Sequence, residues 1–272
     1  MSELPSFERP PVKEVVIAAR FKRADRYSIL TLGKIAKRME AAGFSKIEEQ
    51  PSYEAPVEEF GSTNEQSRMS LQLLPGPVPI RYWFSSDAGD ELLQLQSNWF
   101  AVNWKKTAPS AEYKRWRHCW DDFQHWLTVV SAAISAGELD FDQVEVTYIN
   151  HIDPDGVWTH HGEATRVFTA LALTQGEFLG VPEQYSLNSQ YLIRADADEG
   201  TASGRLHVSI NPGFRRPEGT PIFVMNLTAR GGPTGPGIEG IQGFAEVAHE
   251  WIVRGFTDLT CDAMHDVWQR IR

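Results

Sequence analysis

Residues 113–136 read YKRWRHCWDDFQHWLTVVSAAISA. Tyr113, Trp116, Trp120, Phe123, Leu127, Val130 and Ile134 recur every three or four positions, which places them on one stripe of a helix. Fully burying side chains of this size contributes about 1.5–3 kcal/mol each. The segment therefore predicts a helix over 113–136 that anchors the first half of the chain, with Trp120, Phe123 and Leu127 against a sheet.

Toward the N-terminus the pattern changes period. Residues 92–104 show a parity switch: Leu93 and Leu95 face one way, whereas Phe100, Val102 and Trp104 belong to the opposite parity. One regular strand would expose one set, so Ser97 and Asn98 mark a tight turn or a bulge. Strands are predicted at 80–84, with a turn at 87–89, and at 68–74, ended by Pro75, Gly76 and Pro77. Residues 46–66 hold two prolines and six glutamates and read as a short strand followed by a loop. A helix over 27–42 carries Ile29, Leu32, Ile35 and Met39 and stops at Gly43. Residues 13–21 (KEVVIAARF) alternate Val15, Ile17, Ala19 and Phe21 against Glu14 and Arg20, as a half-buried strand should. The Pro-rich residues 1–12 read as an extended arm.

Toward the C-terminus the same order returns. Residues 143–152 (QVEVTYINHI) form a strand, and Pro154, Asp155 and Gly156 turn the chain. A helix is predicted over 159–173, then strands at 185–195, 205–210 and 222–228, with Asn211, Pro212 and Gly213 as a break. A Gly/Pro loop leads to a helix over 238–256 and a short last helix over 262–271. The expected fold class is α+β: two pseudo-repeats of β-α-β(3–5)-α, residues 1–140 and 141–272, packed as one compact unit. Each repeat is expected to curve its own antiparallel sheet around a long helix. The pattern resembles the TATA-binding-protein-like or helix-grip architecture, a likeness that carries no function by itself.

A DNA-binding saddle would be the obvious guess from that likeness, but the charge opposes it. The formal net charge is −10. Residues 1–140 carry 17 basic and 19 acidic side chains, and residues 141–272 carry 9 arginines and 17 acidic side chains. Neither half has the field that draws proteins to phosphate backbones, so no duplex-DNA partner is expected. Lys105, Lys106, Lys114, Arg115 and Arg117 cluster in sequence and read as a solvated helix start. The two cysteines, Cys119 and Cys261, form neither a disulfide framework nor a zinc spacing. The N-terminal residues lack an apolar stretch, and no run of about 18 apolar residues occurs. The expectation is a reduced, cytoplasmic protein with no membrane partner and no cofactor.

Few motifs point to chemistry. Gly235, Gly237 and Gly240 fit G-x-G-x-x-G, but no parallel strand follows, and Pro236 removes a donor that a pyrophosphate would use. His249 and Glu250 begin H-E-x-x-H, yet Val253 stands where the second histidine belongs, so the pair reads as the flank of a core helix. His118, Asp122 and His125 share a helix side and read as a polar face rather than a metal site. The candidate site is His151 with Asp153, two apart on the strand parity that also carries Glu145 and Thr147, with His160 shortly after. A neighbouring carboxylate is expected to raise the His151 pKa, giving an acid–base pair or a pH-dependent binding site.

Several phrases occur together in order: Pro10-Pro11-Val12 with Glu14-Val15-Val16, Arg81-Tyr82-Trp83-Phe84, Gln94-Leu95-Gln96 with Phe100-Ala101-Val102-Asn103-Trp104, Tyr148-Ile149-Asn150-His151-Ile152, and Ala248-His249-Glu250-Trp251-Ile252 with Phe256-Thr257. Across nearly the whole chain they resemble a sporadically distributed bacterial family of conserved hypothetical proteins. That resemblance implies a bacterial cytoplasmic protein, with an association to mobile elements or defence, and it transfers no catalytic residue. The combined reading is a non-enzymatic binding protein whose partner is a protein or a small ligand. The alternatives are a hydrolase working at His151 and Asp153, and an acidic, antitoxin-like regulator.

Overall fold

The computed structural model describes residues 3–22, 24–60, 80–108, 110–171, 178–194 and 202–271. Along the chain lie β1 (Val12–Phe21), α1 (Ile29–Ala41), β2 (Lys46–Pro51), β3 (Ile80–Ser85), β4 (Glu91–Gln96), β5 (Trp99–Lys105), α2 (Trp116–Ile134) and β6 (Phe141–Ile152). Then come β7 (Leu187–Arg194), β8 (Ala202–Arg215), β9 (Thr220–Gly231), α3 (Gly237–Leu259) and α4 (Asp262–Val267). The strand expected at 68–74 falls outside the described residues.

The described strands make one antiparallel sheet in the order β2-β3-β4-β5-β1-β6-β9-β8-β7. This corrects the expectation of two sheets. The seam is β1 against β6, with Val16 opposite Thr147 and Ala18 opposite Glu145. Left apart, β1 and β6 would each present a row of unpaired amides and carbonyls; joined, neither is an edge.

The two faces of the sheet differ. Val15, Ile17, Ala19 and Phe21 of β1 and Val144, Val146, Tyr148 and Ile152 of β6 are buried beneath the helices. Helix α2 packs on β5 and β1, and α3 on β6, β9 and β8. Trp120, Phe123 and Leu127 are buried as the stripe requires, with the Phe123 ring 6.1 Å from that of Phe100. The opposite face carries mostly polar side chains.

Two local expectations change. Residues 161–166 and 169–171 form 3-10 turns rather than one α-helix. Glu163 folds back to accept from the Thr159 amide and hydroxyl at 2.7 and 2.9 Å, and the Val167 carbonyl accepts from the Cys261 amide at 2.8 Å. Backbone groups that a helix would use internally are thus spent on another part of the chain. Strand β8 continues through Asn211, Pro212 and Gly213 to Arg215. Its pairing with β7 ends at Ile210, so among the described residues Pro212 has no strand partner on that side to deprive of a hydrogen bond. The glycines at 235–240 serve the backbone itself. Gly237 has φ +62°, and a Cβ on Gly240 would stand 1.8 Å from the Gly235 carbonyl oxygen.

Cys119 is buried in α2, which pushes its thiol up to about 12, whereas Cys261 is only partly buried. In the folded protein a thiol reagent at pH 8 should titrate Cys261 alone, and Cys119 only after denaturation. Rapid modification of both thiols would contradict this packing.

Candidate anion-binding cleft

The N-terminal arm, not a loop, organises the site. Phe7 is buried against Phe256, His265 and Trp268, with ring centroids 5.4–6.0 Å apart. Backbone bonds join Glu8 and Arg9 to the carbonyls of Gln269 and Trp268, and Ile271 to that of Ser6. The arm then enters β1 beside the end of β6, where the His151 amide donates to the Pro11 carbonyl at 3.0 Å. An irregularity between Val12 and Glu14 shifts the register at this point and turns Lys13 into the same opening.

The opening is a cavity of about 670 Å³. Lys13, Lys106, His151, Asp153 and Arg215 line it, with Glu8, Arg9, Glu112, Arg115 and Asp155 around them. Lys13 Nζ donates to the Lys106 carbonyl at 3.3 Å. Arg215 holds both oxygens of Asp153, at 2.8 and 3.0 Å. Burial lowers the pKa of His151, and the charges of Lys13 and Arg215 lower it further, against a smaller opposing pull from Asp153. The expected upward shift is therefore reversed, because the imidazole is partly buried and the positive charges of Lys13 and Arg215 outweigh the pull of Asp153. Burial, Arg215 and Lys106 likewise lower Lys13.

Of the four candidate residues, the fold brings together two. His151 and Asp153 share the cleft. Glu145 lies farther along β6 and donates its charge to the open sheet face, where its carboxylate accepts from Arg230 Nε at 2.6 Å. His160 is exposed and does not line the cleft. Its neighbour His161 is buried, with Nε2 near the Gly213 and Ile222 carbonyls at 3.1 and 3.0 Å, and holds β8 and β9 to the 3-10 turn. Lys13, Lys106 and Arg215 were not anticipated as site residues. Each belongs to a different element, and no spacing in the chain joins them.

No family model, curated protein or solved structure matches this chain. The geometry alone must speak for the site. Among the described residues no set of three or more His, Cys, Asp or Glu side chains is placed to hold a metal ion. On α2, Asp122 is engaged by Lys114, which also reaches Glu91, while His118 and His125 point to solvent. No helix among the described residues is long and apolar enough to cross a membrane.

A second cavity, of about 280 Å³, adjoins the cleft and shares Pro10, Pro11, Val12, Tyr113 and Arg115 with it. Here His249 is more than the flank of a core helix. Its ring stacks on Trp116 at 4.5 Å and 6°, and its Nδ1 lies 3.1 Å from Tyr148 Oη, which in turn lies 3.0 Å from Tyr113 Oη. Burial pushes His249 down to about 4 and raises both phenols above their ordinary range. All three groups are neutral near pH 7. They form a hydrogen-bonded chain whose donors and acceptors follow the imidazole tautomer.

Proposed function

We propose that the protein is a non-enzymatic binding protein and that the cleft at His151 takes a small ligand through a carboxylate or phosphate group. The observation that carries this reading is the convergence of Lys13, Lys106 and His151, from two strands and a loop, on one cavity beside the Arg215–Asp153 ion pair. Burial and then neighbouring positive charge lower Lys13 and His151, and an anion placed there would offset the charge contribution. A hydrolase working through His151 and Asp153 has less support, because Arg215 occupies the carboxylate that would orient the imidazole. An acidic regulator draws support only from the charge of residues 141–272. The overall charge of −10 still argues against a duplex-DNA partner. The family resemblance supports a bacterial cytoplasmic setting and names no ligand.

The reading is tested by calorimetric titration with inorganic phosphate and with citrate. Binding of either in the wild type should weaken at least about tenfold in Lys13→Gln, since one charge-assisted hydrogen bond is worth about 1.5–3 kcal/mol. His151→Ala should weaken binding with little change in melting temperature. Because an anion favours the protonated imidazole, the affinity for sulfate, whose charge is constant in this range, should fall as pH rises from about 5 to 8. Affinity indifferent to both substitutions and to pH would remove the proposal.

We also propose that the halves are related repeats. Support comes from their arrangement about the seam: β5 flanks β1 as β9 flanks β6, and α2 covers the first pair as α3 covers the second. Superposing β1 and α2 on β6 and α3 is the check, and failure of the helices to coincide would exclude it.

A further inference from the structure

The polar face of the sheet is not bare. After β2 the chain leaves the sheet edge, and residues 52–60 cross the open face toward β8. Two buried glutamines hold this strap by its backbone. Gln96 accepts from the Tyr53 amide at 2.9 Å and donates to the Tyr53 carbonyl at 2.8 Å. Gln143 accepts from the Glu58 amide at 3.0 Å and donates to the Pro56 carbonyl at 2.7 Å. Each carboxamide thus satisfies a peptide donor and a peptide acceptor, a form of recognition that ignores side-chain identity. Between them Ala55 packs on the small apolar patch of Ala18, Trp99 and Ala101.

Two side chains of the strap are read specifically. The Tyr53 ring lies 5.3 Å from that of Trp99, with the Arg81 guanidinium 5.6 Å from its centroid. Five residues on, the Glu58 side chain is only 5% exposed and meets Arg205, Arg230 and His207. Burial alone would raise the Glu58 carboxyl, but the His207 hydrogen bond and the two arginines hold it below its ordinary value. Arg230 is shared with Glu145, so without Glu58 this corner of the face would keep two arginines against one carboxylate.

We infer that the open face is a binding track for an extended, acidic peptide segment of a partner protein, and that residues 52–60 fill it in cis as a built-in competitor. The partner segment would carry an aromatic residue and, five positions later, a carboxylate. A tethered strap competes at an effective concentration on the order of millimolar, so an equivalent peptide in trans binds the intact chain only weakly. This inference is independent of the cleft at His151.

The test uses a fluorescein-labelled peptide of residues 51–60, PSYEAPVEEF, in an anisotropy titration against the full chain. Weakening the strap with Tyr53→Ala and Glu58→Ala together should tighten peptide binding at least tenfold over the wild type. A peptide with glutamine in place of Glu58 should lose at least tenfold of that gain. Glu58→Gln alone, which keeps the side-chain shape, serves as a second variant should the double substitution unfold the protein, and it should also bind better than the wild type. Equal binding to the wild type and to a folded variant overturns the proposal. So does capture of single-stranded DNA or RNA by the opened variant in preference to the peptide, or its conversion to a dimer that exchanges straps, seen as a doubled mass in light scattering.

Discussion

Trp120→Ala should lower the unfolding free energy by about 3–5 kcal/mol, the range for a large aromatic side chain truncated in a close-packed core. Trp120 sits in the second turn of α2, 4% exposed, with its ring 5.5 Å from that of Phe123 and 6.3 Å from that of Trp116. The indole Nε1 is buried without a hydrogen-bond partner among the described residues. The loss therefore arises from packing, and Trp120→Phe, which removes the unsatisfied donor, should cost far less. In a domain of this size each kcal/mol moves the melting temperature by about 2–4 °C, so the alanine variant should melt at least about 6 °C lower. Wild-type melting of Trp120→Ala would mean that α2 presents a different face to the sheet.

The second large effect is a loss of stability in mild acid, set by His249. Its folded pKa of about 4 lies below the ordinary histidine value of about 6.5. Between those values the unfolded chain binds more protons than the folded one, so stability rises with pH. The contribution of the neutral ring is complete above about pH 6.5 and disappears as pH falls toward 4. It amounts to at most about 3 kcal/mol. The cause is mainly burial: charging the imidazole would place a cation between Trp116 and Tyr148 in an apolar cavity. His151 and His265 are lowered as well and act in the same direction. The difference between wild type and His249→Gln, measured by urea unfolding from pH 4 to 7, isolates the one ring. The variant should show a visibly shallower acid limb, and coincident limbs would place His249 in water.

Much of the fold was legible because its signals are local. The opposed parities of Leu93/Leu95 and Phe100/Trp104 required a reversal, and the turn falls at Ser97 and Asn98 between β4 and β5. The α2 stripe needed only helical periodicity. The seam was not legible, since alternation along β1 or β6 reveals a buried face but not which strand lies alongside. Site assembly was hidden for the same reason. His151 and Asp153 lie two residues apart and could be found, whereas Lys13 and Arg215 come from distant strands. Residues 46–66 read as a short strand and a loop, and nothing in their sequence marks one of the six glutamates as buried. Glu58 is enclosed only because Arg205, His207 and Arg230 wait across the sheet, about 150 residues away in the chain.

The central seam also has a meaning in time. On the ribosome β1 emerges well before β6, and about 120 residues separate Phe21 from Phe141. At translation rates of about 5–20 residues per second, the nascent chain carries β1 for roughly 6–24 s before its neighbour exists. During that interval the inner side of β1 is an unpaired strand edge of ten residues, VKEVVIAARF, mostly apolar and open to any other nascent chain. A strand that lies at the centre of the finished sheet is thus left with one open edge during its synthesis, and the yield of folded protein should depend on chaperone supply as well as on the stability of the native state.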